Sequence, residues 1–409
     1  MRYRLLIFFA LLSFAARGQV ASGIDVLQRD GFEILRGKRV GLITNRTGVD
    51  SRLRATIDIL HEAPEVNLVA LFAPEHGIRS DAQAGARVAD SRDPATNLPV
   101  YSLYGSTKKP TAEMLRDVDV LVYDIQDNGC RSYTFISTLG LAMEAAAANG
   151  KEFVVLDRPN PLGGVRVEGP VRTPECKSFI SQYPIPYLYG LTPGELALYL
   201  KGENLISGGD RLKLNVVKMD GWQRDMTYAD TFLPWIMPSP HIPQADVCYY
   251  YPASGIVGEL DFLSIGVGYT IPFRSFAAPW IDGAKLAERL NKLELKGIQF
   301  YPISYRPYYG KFKGEDVSGV QFFVTDEYDA ELTKVQFYVL QELHEMYPTR
   351  NPFTATEKNR NMLKMFDYAT GDKNVRTEFS RRFKVEDILS FWDKDAENFN
   401  QTKQKYHLY

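Results

Sequence analysis

Residues 118–123 read VDVLVY, and the next ten read DIQDNGCRSY (124–133). Then come TFISTLGLAMEAAAAN (134–149), a glycine at 150, and FVVL (153–156) closing on Asp157. The two short runs are nearly all apolar. A strand with one wet face alternates polar and apolar residues. An uninterrupted apolar run is what a parallel sheet covered on both sides requires. The 134–149 stretch has helical periodicity and ends on a glycine stop. Strand, loop, helix and strand succeed one another as in an α/β unit.

The same grammar extends in both directions. RVGLIT (39–44) and VNLVALF (66–72) are two more runs suited to burial on both faces, and 53–61 has helical spacing. Thr192-Pro193-Gly194-Glu195 opens a further helix, with Thr as N-cap, Pro in the first turn and Glu at the third position. From Lys38 to about Val217 the pattern is that of a doubly wound, mostly parallel α/β domain. Beyond 234 the text changes. Pro, Gly and aromatic residues crowd 234–279, which reads as irregular with short strand-like pieces. Regular structure returns as a helix (284–293), strands (297–305 and 317–325), a helix (330–345) and one or two amphipathic helices across 385–406. The expected organisation is a leader at 1–18, an α/β domain at 22–225 and a smaller α+β domain at 226–409 closing a cleft.

The 409 residues suit two domains, and 45% hydrophobic with 24% charged residues excludes disorder, collagen-like sequence and a disulfide-dense mini-fold. With 48 basic against 50 acidic residues there is no basic excess or stripe for nucleic acid. MRYRLLIFFALLSFAARG (1–18) has a basic start, a short apolar run and a small-x-small end, as in an export signal. The run is too short for a bilayer anchor, and no other stretch reaches the length of a membrane span. The expectation is export to the periplasm or medium. Cys130, Cys176 and Cys248 are an odd number, so at least one thiol stays free or pairs between chains. Neither HxxxH nor CxxC occurs among them and the five histidines, so no metal and no cofactor are implied. GxGxxG after the first strand, GxxxxGK[ST] and GxSxG are all missing, which disfavours dinucleotide, P-loop and serine-hydrolase chemistry.

Each buried run gives way to polar residues: Asn45-Arg46-Thr47-Gly48, Pro74-Glu75-His76-Gly77-Ile78-Arg79, Asp124 to Tyr133, and Asp157-Arg158-Pro159-Asn160. In a parallel sheet these loops share one edge, where ligands of open α/β sheets bind. An Asp after a strand is as often a turn former or helix cap as a ligand. Glu75-His76, between Pro74 and Gly77, is a candidate acid/base pair. Arg79 and Arg131 are candidate anion binders.

These segments carry a resemblance. Thr44-Asn45-Arg46-Thr47-Gly48, Pro74-Glu75-His76-Gly77, Asp124-Ile125-Gln126-Asp127 with Arg131 and Tyr133-Thr134, Asp157-Arg158-Pro159-Asn160-Pro161 and Glu168-Gly169-Pro170 resemble the NamZ-type exo-β-N-acetylmuramidases. Tyr189 to Glu195, Pro238-Ser239-Pro240, Glu259 and Ala278 to Asp282 continue the likeness in order along the chain. The resemblance implies a Rossmann-like N-terminal domain, a smaller C-terminal domain and a cleft between them. It also implies release of N-acetylmuramic acid from non-reducing ends of peptidoglycan fragments. The chain departs from the pattern at Ala86, at His241 where the family has Asn, and at Ile265 and Val267. The alternatives are therefore a peptidoglycan- or carbohydrate-binding protein with impaired catalysis, or a hydrolase of a related amino sugar.

Glycoside hydrolysis needs a carboxylic acid to protonate the leaving oxygen and a second group to stabilise or attack the sugar cation. Glu75 is the expected acid, also by resemblance. His76 and Asp124 or Asp127 are candidates to tune it, and Glu259 is the alternative second carboxylate. For a 2-acetamido sugar the substrate's own carbonyl is a possible nucleophile. The lactyl carboxylate of the substrate calls for a guanidinium, Arg79 or Arg131. Tyr133, Asn160 and the Trp280 region are expected to hold the sugar face. Asn45, Gln126, Asp127, Asp157 and His241 complete the expected substrate contacts.

Overall fold

The computed structural model describes residues 18–75, 77–78, 91–354 and 359–409. Its first domain is built on seven strands: β1 (Arg39–Thr44), β2 (Asn67–Ala73), β3 (Ser91–Arg92), β4 (Pro99–Ser102), β5 (Val120–Asp124), β6 (Glu152–Leu156) and β7 (Leu214–Val217). Their order is β3-β4-β2-β1-β5-β6-β7, and every pairing is parallel except β3 with β4. The β5 run is fully buried and β1 nearly so, as the unbroken apolar text requires.

Each sheet face has its own cover. Ile24 and Leu27 of one helix (Gly23–Arg29) and Ile57, Ile59 and Leu60 of another (Thr56–Glu62) pack with Val40, Leu42, Val120 and Val122. The opposite face, with Ile43, Leu121 and Val155, meets the helices Phe135–Ala148 and Pro193–Gly202. Thr192 caps the second of these with its reciprocal Glu195 bond. Close packing fixes some glycines: a Cβ at Gly23 would lie 2.3 Å from the Asp157 nitrogen.

The second domain has a three-stranded antiparallel sheet in the order β8-β10-β9, made of β8 (Ser275–Ala278), β9 (Ile298–Tyr305) and β10 (Val317–Val324). The helix Gly283–Asn291 packs on it, the helix Val335–Met346 packs against that helix, and one hydrophobic cluster runs from Leu121 and Phe135 through Ile256 to Phe322 and Phe337.

One stretch differs from expectation. Within the supposedly irregular 234–279 lies a helix, Val247–Gly258, with Pro252 inside it. The buried Gln336 side chain donates to the Pro252 carbonyl at 2.8 Å and accepts from the Val257 amide at 2.9 Å, which pins the second half of this helix. Helices at Arg360–Thr370 and Lys373–Arg382 are also additions, and 385–406 resolves into Glu386–Trp392, Ala396–Lys403 and a terminal turn. Cys130, Cys176 and Cys248 are all buried and unpaired. No helix among the described residues is long and apolar enough to cross a membrane. The expected leader lies almost entirely outside the described residues.

Candidate active site

The strand order reverses between β1 and β5, the switch point where open α/β sheets admit ligands. Here the chain fills that crevice with its own polar contacts. Both Asp124 oxygens accept from Arg158, at 2.5 and 2.9 Å, and one also accepts from Thr56 at 2.5 Å. Arg158 donates onward to the Val49 carbonyl. Thr47 uses its hydroxyl to reach Asn45 Oδ1 and to accept the Gln126 amide. A cavity remains between Thr47, Gln126, Arg158 and Tyr228, but it holds only about 10 Å³, less than a sugar needs.

The opening lies one strand over. Glu75 comes just after β2, is half-buried, and accepts a 2.7 Å hydrogen bond on Oε2 from the Thr134 hydroxyl, at the N-cap of the helix after β5. Tyr104, just past β4 on the same edge, sets its hydroxyl beside Glu75. Burial and that carboxylate push the phenol up to about 12, so it keeps its proton and remains a donor. Three parallel-sheet segments thus converge on one carboxylate.

The second domain supplies the facing wall. Tyr251, on the proline-containing helix, bonds Ser132 at 3.1 Å and feels the charges of both Glu75 and Glu259. Glu259, at the C-cap of that helix, has its carboxyl raised by burial. The Tyr133 ring meets Tyr251 edge-on at 5.9 Å, and Ser239 lies beside its hydroxyl without closing a hydrogen bond. Asn45 Nδ2, Asp127 Oδ1, Asn128 Nδ2 and Tyr133 Oη are buried with no partner among the described residues. Leaving such a group unpaired costs about 1–3 kcal/mol each, so their gathering on the loops after β1 and β5 marks a strained, polar neighbourhood.

Several expected contacts prove to be internal. Arg131 is the main correction: its side chain is fully buried and donates to the carbonyls of Pro170 and Ile185, each at 2.7 Å, and of Ala369 at 2.9 Å. Burial, which also leaves its Nε without a partner among the described residues, withholds the guanidinium from a substrate carboxylate. Asp124 is closed onto Arg158 and does not reach Glu75. Asp157 accepts from Thr192, the Gly194 amide and Tyr409, which makes it an anchor for helix and tail. Gln126 donates to the Asp127 and Pro159 carbonyls, Asn160 bridges Leu191 and Leu162, and Asn45 turns back on Thr47. Asp127 accepts from Tyr189 and the Gly129 amide, and burial raises its carboxyl to about 6. Trp280 is packed by Phe262, Tyr347 and Arg350. His241 bonds Tyr309 at 2.8 Å. His76, Arg79 and Ala86 lie outside the described residues. Sequence reasoning misses Tyr104, Thr134 and Tyr251 as site residues; the only signal for Tyr104 is its place past a strand that the text barely marks.

With Glu75 held between the β2, β4 and β5 segments and faced by Tyr251, likeness to known proteins becomes informative. The description "Exo-beta-N-acetylmuramidase NamZ, N-terminal" matches residues 40–246, and its C-terminal counterpart matches 249–409. The chain belongs to the NamZ exo-β-N-acetylmuramidase family. It is 44% identical over 395 residues to the peptidoglycan β-N-acetylmuramidase NamZ of Bacillus subtilis, covering 97% of this chain and 92% of that protein. Two crystal structures of DUF1343 family proteins from Bacteroides fragilis share the NamZ-family fold seen here. One has 54% identity and a TM-score of 0.92, the other 27% and 0.76; each alignment covers 96% of this chain and 99% of the other. The likeness thus extends over both domains.

Proposed function

We propose that the chain is an exported, exo-acting glycosidase that releases N-acetylmuramic acid from non-reducing ends of peptidoglycan fragments, with Glu75 as general acid and base. The observation that carries this reading is the Glu75 carboxylate on the ligand-binding edge, with Thr134 donating to it and the Tyr104 phenol beside it. The family and the B. subtilis relative support the substrate class.

Thr134 orients the carboxyl group by occupying Oε2, so that Oε1 carries the proton towards the glycosidic oxygen. As that proton transfers, the bond from C1 to the leaving oxygen breaks and positive charge spreads over C1 and the ring oxygen. Either water then bonds C1, giving its proton to the Glu75 carboxylate left by the first transfer, or the substrate's own acetamido oxygen does. In the second case a water, giving its proton to the Glu75 carboxylate, opens the cyclic intermediate. Glu259, held high by burial and facing the same Tyr251 hydroxyl, is the second carboxylate at the site.

Glu75→Gln preserves shape and removes the transferable proton. It is expected to lower kcat on a chromogenic N-acetylmuramide by about 10²- to 10⁴-fold, the usual worth of general acid–base catalysis. Near-normal turnover by this variant removes Glu75 from the role. A wild-type protein that is stabilised by free N-acetylmuramic acid in a thermal-shift assay yet turns over neither muramide nor glucosaminide is instead a saccharide-binding protein.

A further inference from the structure

Outside the Glu75 site the most ordered unexplained feature is a ladder of three tyrosine rings on the second domain. Tyr305 forms its base, with a buried side chain and a hydroxyl tied to Ser264 at 2.8 Å and Ser275 at 2.9 Å. Tyr269 stacks on it with centroids 4.7 Å apart and planes 22° apart. Tyr308 packs on Tyr269 with centroids 5.6 Å apart and planes tilted by 30°. The last ring is 68% exposed, so its outer face is open.

This open ring is rigidly presented. The Tyr308 amide donates to the Gly268 carbonyl at 2.8 Å, and a Cβ at Gly268 would come within 2.0 Å of the Tyr309 carbonyl oxygen. Only glycine allows the two loops to approach so closely, and Gly268 also has a φ of +92°. Exposed aromatic surface held in one orientation by a buried anchor is a feature of binding faces rather than of an idle surface.

The ladder is continuous with the candidate active site. Thr134 holds Glu75 and adjoins Tyr133; Ser239 lies beside the Tyr133 hydroxyl; His241, two residues on, hydrogen-bonds the Tyr309 hydroxyl at 2.8 Å, with the two rings 5.9 Å and 28° apart; and Tyr309 adjoins Tyr308. Of the cations on this turn, Lys311 pairs with Asp261 and Arg306 with Asp316, while Lys313 is exposed. The ladder itself is built of ring faces and hydroxyls, which suits the C–H face and hydroxyl rim of an uncharged amino-sugar ring.

We propose that Tyr308, backed by Tyr269 and Tyr305 and flanked by the His241–Tyr309 pair, is a stacking subsite for a sugar ring of the leaving saccharide, on the reducing side of the bond to be cleaved. The direction rests on the exo-acting reading above: when only the terminal unit is removed, the rest of the chain extends to one side.

The test compares two substrates free of peptide: a chromogenic N-acetylmuramide, whose small leaving group ends before the ladder, and a tetrasaccharide of alternating N-acetylmuramic acid and N-acetylglucosamine. Tyr308→Ala is expected to lower the ratio of kcat/KM for tetrasaccharide over muramide about tenfold, the scale of one lost ring stack. Tyr308→Phe should restore it. Tyr328→Ala, a tyrosine 71% exposed on another loop, should leave it unchanged. An unchanged ratio in Tyr308→Ala overturns the proposal, as does a ratio that falls equally in Tyr328→Ala. Recognition of a peptide stem instead would also leave the ratio unmoved. If the wild type cleaves neither substrate, the hydrolase reading fails separately, and the ladder is judged by calorimetric titration with the tetrasaccharide. A tenfold weaker Kd in Tyr308→Ala then supports it, and an equal Kd overturns it.

Discussion

Arg131 donates to three backbone carbonyls from segments that are distant in sequence, and it lies over the Tyr187 ring at 5.7 Å. Burial lowers its guanidinium to about 10, which still leaves it charged at neutral pH. Arg131→Met would strand the carbonyls of Pro170, Ile185 and Ala369 in the core, a loss of about 3–5 kcal/mol. The expected result is a Tm lower by roughly 5 °C or more, with the preference for muramic over glucosaminide substrates intact at a permissive temperature. A small change in Tm with selective loss on muramic substrates would return Arg131 to the binding site. The loop locations of the site were legible in the sequence, because buried parallel runs must empty their polar residues onto one edge. Which of those residues face a ligand was not. Asp124, Asp157 and Asn160 are polar for the same reason as Glu75, yet Asp124 is spent on the Arg158 guanidinium, and Asp157 and Asn160 serve the backbone and helix ends around them. Residue type shows that a hydrogen-bonding partner is needed, while only the packed loops show whether that partner is internal.

The helix Val247–Gly258 carries Tyr251 and ends beside Glu259, so its geometry sets one wall of the site. Gln336 ties this helix to the one that carries it by bonding the Pro252 carbonyl and the Val257 amide. Gln336→Leu keeps the volume but leaves the Pro252 carbonyl and the Val257 amide unpaired. The expected cost is about 2–4 kcal/mol, read as a lower urea midpoint with unchanged m-value. Activity should fall along with it, since Tyr251 and Glu259 shift with the helix. An unchanged midpoint would show that water serves these groups equally well. The same helix explains a gap between text and fold. Its side chains are buried on nearly all sides, so no 3.6-residue alternation exists to read, and a proline with three consecutive tyrosines argues locally against a helix. The strands β1, β5 and β6, by contrast, fall within two residues of their apolar runs, since burial on both faces leaves an unmistakable composition.

At the scale of the molecule, the end of the chain returns from the second domain to strap the first. The Tyr409 hydroxyl donates to Asp157 and accepts from the Met219 amide, the Leu408 amide donates to Glu195, and Lys403 reaches the carbonyls of Gly164, Tyr189 and Gly190. Burial, with Arg224 adding repulsion, pushes the Lys403 ammonium down to about 7 against the pull of Glu195. The unfolded chain keeps that proton up to its ordinary value of 10.5, whereas the folded protein releases it near 7. Between those values the unfolded state binds more protons, so this group's contribution to stability rises with pH. Burial raises the Asp157 carboxyl to about 7 from its ordinary 3.8, so across that interval the folded state binds more protons and its contribution falls with pH. The two windows meet near neutrality, and Lys403→Gln separates them. Thermal denaturation from pH 7 to 9.5 should show the wild-type Tm gaining on that of Lys403→Gln as pH rises, while from pH 5 to 6 their difference stays flat. A difference that is flat throughout, or that shrinks above pH 7, would mean that the Lys403 ammonium stays charged beneath the strap, held by its three carbonyls.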